Sequence, residues 1–133
     1  MSPSSRERGG GRLVRTTSLL PVLAILACTS SASRKAEDAE ASVRRFFAAL
    51  PSGDCEVLGP LLATGSGARP CAEAVREMNE HGLQLVEILE SKVDGRDPDA
   101  VLVRTRVSRN GVLRAEPYIL RVERQGETWR LRF

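Results

Sequence analysis

The spacing of apolar residues changes once along this chain, at Gly82, from the three-to-four-residue repeat of helices to the two-residue repeat of strands. That order limits the fold more than any other feature. Before Gly82, Val43, Phe46, Phe47 and Leu50 form one stripe of a helix that ends at Pro51. Ser52-Gly53-Asp54 then supplies a turn and a cap for a shorter helix bearing Cys55, Val57, Leu58, Leu61 and Leu62, which Gly59-Pro60 must kink or split. After the Gly65-Ser66-Gly67 loop, Pro70 suits a first helical position, and Cys71, Ala74, Val75 and Met78 make a third stripe.

Beyond Gly82, Leu83 to Val93 reads as a strand, followed by turn residues 94–99. Val101, Val103, Thr105 and Val107 alternate with Leu102, Arg104, Arg106 and Ser108, up to the hairpin signal Asn110-Gly111. Tyr118, Leu120 and Val122 start a third strand, with Pro117 at a bulge or an edge. Trp129, Leu131 and Phe133 carry a fourth, after a turn at Gln125-Gly126. Helices followed by an antiparallel meander with one wet face predict an α+β domain in which N-terminal helices cover a four-stranded sheet.

The front of the chain has a different grammar. Arg6, Arg8, Arg12 and Arg15 precede the apolar run Leu23-Ala24-Ile25-Leu26-Ala27, which closes on Cys28. The stretch from Leu19 to Ala27 is far shorter than the ~20 residues of a membrane-spanning helix, and Pro21 interrupts it. This order resembles a bacterial lipoprotein signal, with Ile25-Leu26-Ala27-Cys28 as its lipobox. The resemblance implies a removed signal peptide over 1–27, lipid on Cys28, and attachment to a bacterial membrane. Thr29 in place of an aspartate points to the outer membrane, facing the periplasm. Residues 28–35 are small and polar and read as a flexible tether, leaving 36–133 as one domain.

Arg6, Arg8, Arg12 and Arg15 against Glu7 account for the whole formal charge of +3, so residues 28–133 are neutral, with 16 basic and 16 acidic side chains. A nucleic-acid partner is therefore not expected, since that needs a basic domain rather than a basic leader. Within this neutral stretch the acids concentrate before residue 100 and the arginines after it. Cys55 and Cys71 remain once Cys28 is assigned to lipid; an exported chain favours pairing, and two buried free thiols are the alternative.

Two segments carry a resemblance to a known superfamily. Val43-Arg-Arg-Phe-Phe-Ala-Ala-Leu-Pro-Ser-Gly-Asp54 is similar to the first helix and the following Gly-Asp turn of exported nuclear transport factor 2-like domains, the cone-shaped fold of ketosteroid isomerase. Gly126-Glu-Thr-Trp-Arg-Leu-Arg-Phe133 resembles their final strand. The resemblance implies a curved sheet wrapped around a helix with a pocket between them, and a bridge between Cys55 and Cys71. It implies no activity, because function in such folds resides in the pocket residues.

Tests for chemistry return little. An isomerase-type site needs a carboxylate base and a hydroxyl or acid donor in an apolar cavity. Glu87 and Glu116 are the sheet carboxylates placed to approach a pocket, Tyr118 is the sole tyrosine, and Trp129 lies on the inner face. His81 reads as an exposed helix-end residue. No catalytic set, metal motif or cofactor signature is present, so none is expected. Arg104, Arg106, Arg114, Arg121, Arg130 and Arg132 alternate onto the wet face of the sheet. They read as a basic interaction face for an acidic protein or anionic lipid headgroups, with a homodimer through the sheet also open. The leading expectation is a lipid-anchored, non-catalytic envelope protein acting in protein interaction or envelope structure. The alternatives are a carrier of a small apolar ligand in the cone, and an isomerase, dehydratase or hydrolase using Tyr118 with Glu87 or Glu116.

Overall fold

The computed structural model describes Gly11 and residues 30–133; residues 1–10 and 12–29, which hold the stretch read as a signal and Cys28, lie outside the described residues. Helix α1 (Ser31–Ala49) leads into a 3-10 turn (Leu50–Ser52), the single-turn helix α2 (Cys55–Leu58), a second 3-10 turn (Gly59–Leu61) and α3 (Cys71–Glu80). Strands β1 (Leu83–Asp94), β2 (Asp97–Arg109), β3 (Val112–Leu113), β4 (Tyr118–Gln125) and β5 (Thr128–Arg132) follow. All strand pairs are antiparallel, in the order β1-β2-β4-β5, with β3 added to the end of β2. The α+β architecture of helices packed on a curved sheet is present. Bulges between Leu85 and Glu87 and between Ile88 and Glu90 bend β1, and bulges increase local twist.

Three expectations need correction. Residues 31–35, read as tether, are the first turns of α1. The Ser30 hydroxyl accepts the Ser33 backbone N–H at 3.2 Å, a serine N-cap, and Lys35 Nζ donates to the Pro98 carbonyl at 2.6 Å. Polarity alone therefore misjudged a capped, docked segment. The turn over 94–99 is also shorter: Asp94 Oδ1 accepts the Arg96 N–H at 3.0 Å, and β2 resumes at Asp97. Finally, the sheet has five strands rather than four. After the hairpin, Val112 and Leu113 pair with Arg109 and Ser108 before the chain bends away and rejoins β2 at Tyr118, opposite Thr105. Pro117, which has no N–H to donate, ends the detour. The Thr105 hydroxyl then donates to the Tyr118 carbonyl at 2.9 Å.

The core lies between α1 and the inner face of the sheet. Val43, Phe46 and Leu50 from the helices meet Val101, Val103, Val107, Leu120, Val122 and Leu131, nearly all of them fully buried. The Phe46 ring sits 5.6 Å edge-on from Phe47 and 5.3 Å from Phe133, so the last residue packs against the first helix. Burying side chains of this size contributes roughly 1.5–3 kcal/mol each. Cys55 and Cys71 form a disulfide, with Cα atoms 6.0 Å apart, joining the first residues of α2 and α3. The free-thiol alternative is thereby closed.

One junction positions the later argument. Asn110 and Gly111 have φ of 49° and 79°, as a type I′ hairpin requires. The Asn110 N–H donates to the His81 and Gly82 carbonyls at 3.1 and 3.2 Å, tying the hairpin to the end of α3. Gly82 has φ 54°, and a Cβ there would lie 2.6 Å from Asn110 Oδ1. Gly82→Ala should therefore cost about 1–3 kcal/mol in urea unfolding. Gly95→Ala, with open space and no left-handed backbone, should change stability by less than about 0.5 kcal/mol.

Candidate functional site

Outward residues of the sheet were expected to form a basic face, and the structure places acids among them. Arg106 Nε meets Glu87 Oε1 at 3.1 Å. Arg121 reaches three carboxylates: Asp94 at 2.5 Å, Asp97 at 3.0 Å and Glu123 at 3.0 Å. Arg132 binds Glu123 with both Nε and Nη2, at 2.7 and 2.9 Å, and donates to the Thr64 and Ser66 carbonyls. Arg130 is half-buried, its Nε without a hydrogen-bond partner. Arg104 is exposed and, among the described residues, has no ion pair. Arg114 does not belong to this face. Period-two alternation put Arg104, Arg106, Arg121, Arg130 and Arg132 on this face but did not weigh the acids beside them: Glu123 of the same parity, Glu87 brought there by the β1 bulge, and the hairpin acids Asp94 and Asp97.

These pairs set the electrostatics of the face. The Asp94 carboxyl is held below its ordinary range, first by the Arg96 backbone N–H and then by Arg121. Glu123 is lowered first by Arg132 and, against the opposing effect of burial, also by Arg121. Both guanidinia are raised in turn.

The pocket residues expected from sequence do not converge. Glu87 lies on the outer face, because the β1 bulge between Leu85 and Glu87 shifts the register. Glu116 is exposed in the bend before β4. Trp129 is buried near the first turns of α1, beside a shallow depression that includes Arg34, Lys35 and Arg124, at the far end of β4 from Tyr118. Tyr118 lines a separate cleft at the other end of the sheet.

That cleft, about 150 Å³, opens at the sheet end where Gly82 meets Asn110. Helix α3 contributes Glu77, Met78 and the exposed end residue His81. Leu83 opens β1, Arg109 closes β2, Arg114 follows β3, Tyr118 begins β4, and Phe133 follows β5. Arg69 enters from the loop before α3. Its guanidinium binds Glu73 at 2.9 Å and Glu77 at 2.5 Å; this pairing lowers the Glu77 carboxyl and raises Arg69. Arg109 and Arg114 have no ion pair among the described residues, and the Arg114 guanidinium stands 5.9 Å from the Tyr118 ring centroid.

Glu77 is the one carboxylate in this lining and its pairing with Arg69 lowers its pKa; His81 and Tyr118 are the other ionisable groups there besides the arginines. Among the described residues, no three His, Cys, Asp or Glu side chains are grouped to hold a metal, and no helix is long and apolar enough to cross a membrane. Sequence reasoning missed Arg69, Glu77, Met78, Leu83, Arg109 and Phe133 as cleft residues. The available signal was position: all but Arg69 fall within a few residues of Gly82, Asn110-Gly111 or the last strand's end.

No protein-family model matches the chain, and no curated protein matches it. Among solved structures it is similar to a candidate polyketide cyclase from Sinorhizobium meliloti, at 24% identity and TM-score 0.43, over 68% of this chain and 91% of that one. It is also similar to a candidate polyketide cyclase from Xanthomonas campestris pv. campestris, at 17% identity and TM-score 0.42, over 74% and 90%.

Ion pairing on the outer face carries a pH signature. Carboxylates lowered in the folded state contribute stability that is present above their unfolded pKa, about 4, and is lost as pH falls through the folded value. The midpoint of thermal unfolding, followed by circular dichroism, should stay level from pH 7 to 5 and drop below about pH 4. Arg121→Gln should lower the neutral-pH midpoint and flatten that drop.

Proposed function

We propose that this protein is a lipid-anchored, non-catalytic binding domain of the bacterial envelope that takes a small molecule into the cleft beside Gly82. The observation that carries this reading is a contrast. Arg106, Arg121 and Arg132 of the outer face are paired with Glu87, Asp94, Asp97 and Glu123, leaving Arg104 and Arg130 on an open surface, whereas Arg109 and Arg114, also without an ion pair among the described residues, line a concave site with apolar walls. A surface that satisfies its own charges offers an acidic partner little; exposed ion pairs also contribute little to affinity. A concave site with a few polar groups among apolar side chains is the usual form of a ligand site.

The order of arginines, apolar run and cysteine supports lipid on Cys28. Helix α1 starts at Ser31, so Thr29 and Ser30 alone would separate the lipid from rigid structure. Lys35 ties the start of α1 to Pro98, at the opposite end of β2 from Arg109. The anchor would then hold the 94–98 hairpin near the bilayer and present the cleft away from it, roughly 40 Å off along β2 at ~3.3 Å per residue.

Native mass spectrometry of the full chain, extracted from its own membranes, is the test. It should find a retained small molecule that His81→Trp, which narrows the cleft, removes and that Arg104→Glu on the outer face leaves in place. A protein partner lost with Arg104→Glu, with no small molecule on any variant, would contradict the proposal.

A further inference from the structure

Resting on the reading of this cleft as a small-molecule site, we infer that it selects an anion with a flat apolar body, of the aromatic carboxylate class. Charge comes first. Arg69, Arg109 and Arg114 face one acid, Glu77, which is already bound by Arg69. Arg109 and Arg114 form no ion pair among the described residues and stand beside Met78, Leu83 and Phe133, so an anion in the cleft would meet two guanidinia that no carboxylate contacts directly. A cationic ligand would be repelled. A neutral one would cover the two guanidinia without pairing them, and leaving a polar group desolvated and unpaired costs binding.

Shape and geometry narrow the class further. A volume of about 150 Å³ is that of a cavity that holds a benzene ring, so the part of a ligand seated in the cleft is about one ring in size. Arg114 lies 5.9 Å from the Tyr118 ring centroid, within cation–π reach, which biases the side chain toward the cleft rather than bulk water. A guanidinium so oriented suits two parallel hydrogen bonds to one carboxylate. The Tyr118 and Phe133 rings provide the flat surfaces for the ligand's body. Both arginines flank the Asn110-Gly111 hairpin, whose backbone is fastened to the His81 and Gly82 carbonyls, so the cationic wall is fixed relative to α3.

The probes are benzoate, its near-isostere benzamide, and benzylamine, titrated by chemical-shift change into the full chain held in a non-ionic detergent. Benzoate should bind at least tenfold more tightly than benzamide, more weakly as salt rises, and benzylamine should not bind. Arg109→Gln and Arg114→Gln should each weaken benzoate about tenfold and leave benzamide within twofold; both residues lie outside the core, and an unchanged unfolding midpoint confirms folding. Arg104→Gln should alter neither. Equal binding of benzoate and benzamide, both abolished by His81→Trp, would overturn the anion assignment while preserving the cleft as a ligand site. Binding of none of the three probes to the folded chain would overturn both.

Discussion

Phe46 is the residue on which the rest of the structure leans. Fully buried, it fills the curve of the sheet from α1 and touches both Phe47 and Phe133. With Val43 and Leu50 it closes the middle of the fold so completely that no interior cone remains there: Val101, Val103, Leu120, Val122 and Leu131 are all at or near zero exposure. Close packing of that kind leaves room only outside the middle of the core. The cleft lies at the end where α3 stops and β2 turns.

Charge is divided in a way composition conceals. Not all acids of the first hundred residues stay with the helices: Glu87, Asp94 and Asp97 fold back among the arginines of the sheet. Arg121 alone meets Asp94, Asp97 and Glu123. Such a network fastens the β1–β2 hairpin to β4 and leaves the outer face close to neutral. Arg109 and Arg114, like Arg104 of the outer face, have no ion pair among the described residues, and they lie in a cleft beside aromatic walls. The proposed binding of a small anion rests on those two guanidinia.

Much of the fold was legible because its signals were local. The Val43, Phe46, Phe47, Leu50 stripe, the split at Gly59-Pro60 and the Asn110-Gly111 hairpin each have a short-range cause, and each is present. Two misses came from non-local contacts. Ser31 to Lys35 looked like tether, yet a serine cap and the Lys35–Pro98 bond, which spans 63 residues, hold it as helix. Val112–Leu113 is too short to leave a pattern, but it returns the chain to β2 and thereby places Arg114 at the cleft instead of on the outer face. Glu87 was misplaced because a bulge inverts parity, an effect that alternation cannot register. The cleft itself was not legible: its residues come from separate elements, and only Tyr118 was anticipated.

The most direct measurement is a crystal of the full chain soaked with 4-bromobenzoate and read by the anomalous signal of its bromine. A single bromine peak among Met78, Tyr118 and Phe133, with the carboxylate within hydrogen-bond distance of Arg109 or Arg114, is the predicted result. A peak on the outer face of the sheet, with the space beside Gly82 holding only solvent, would contradict the account.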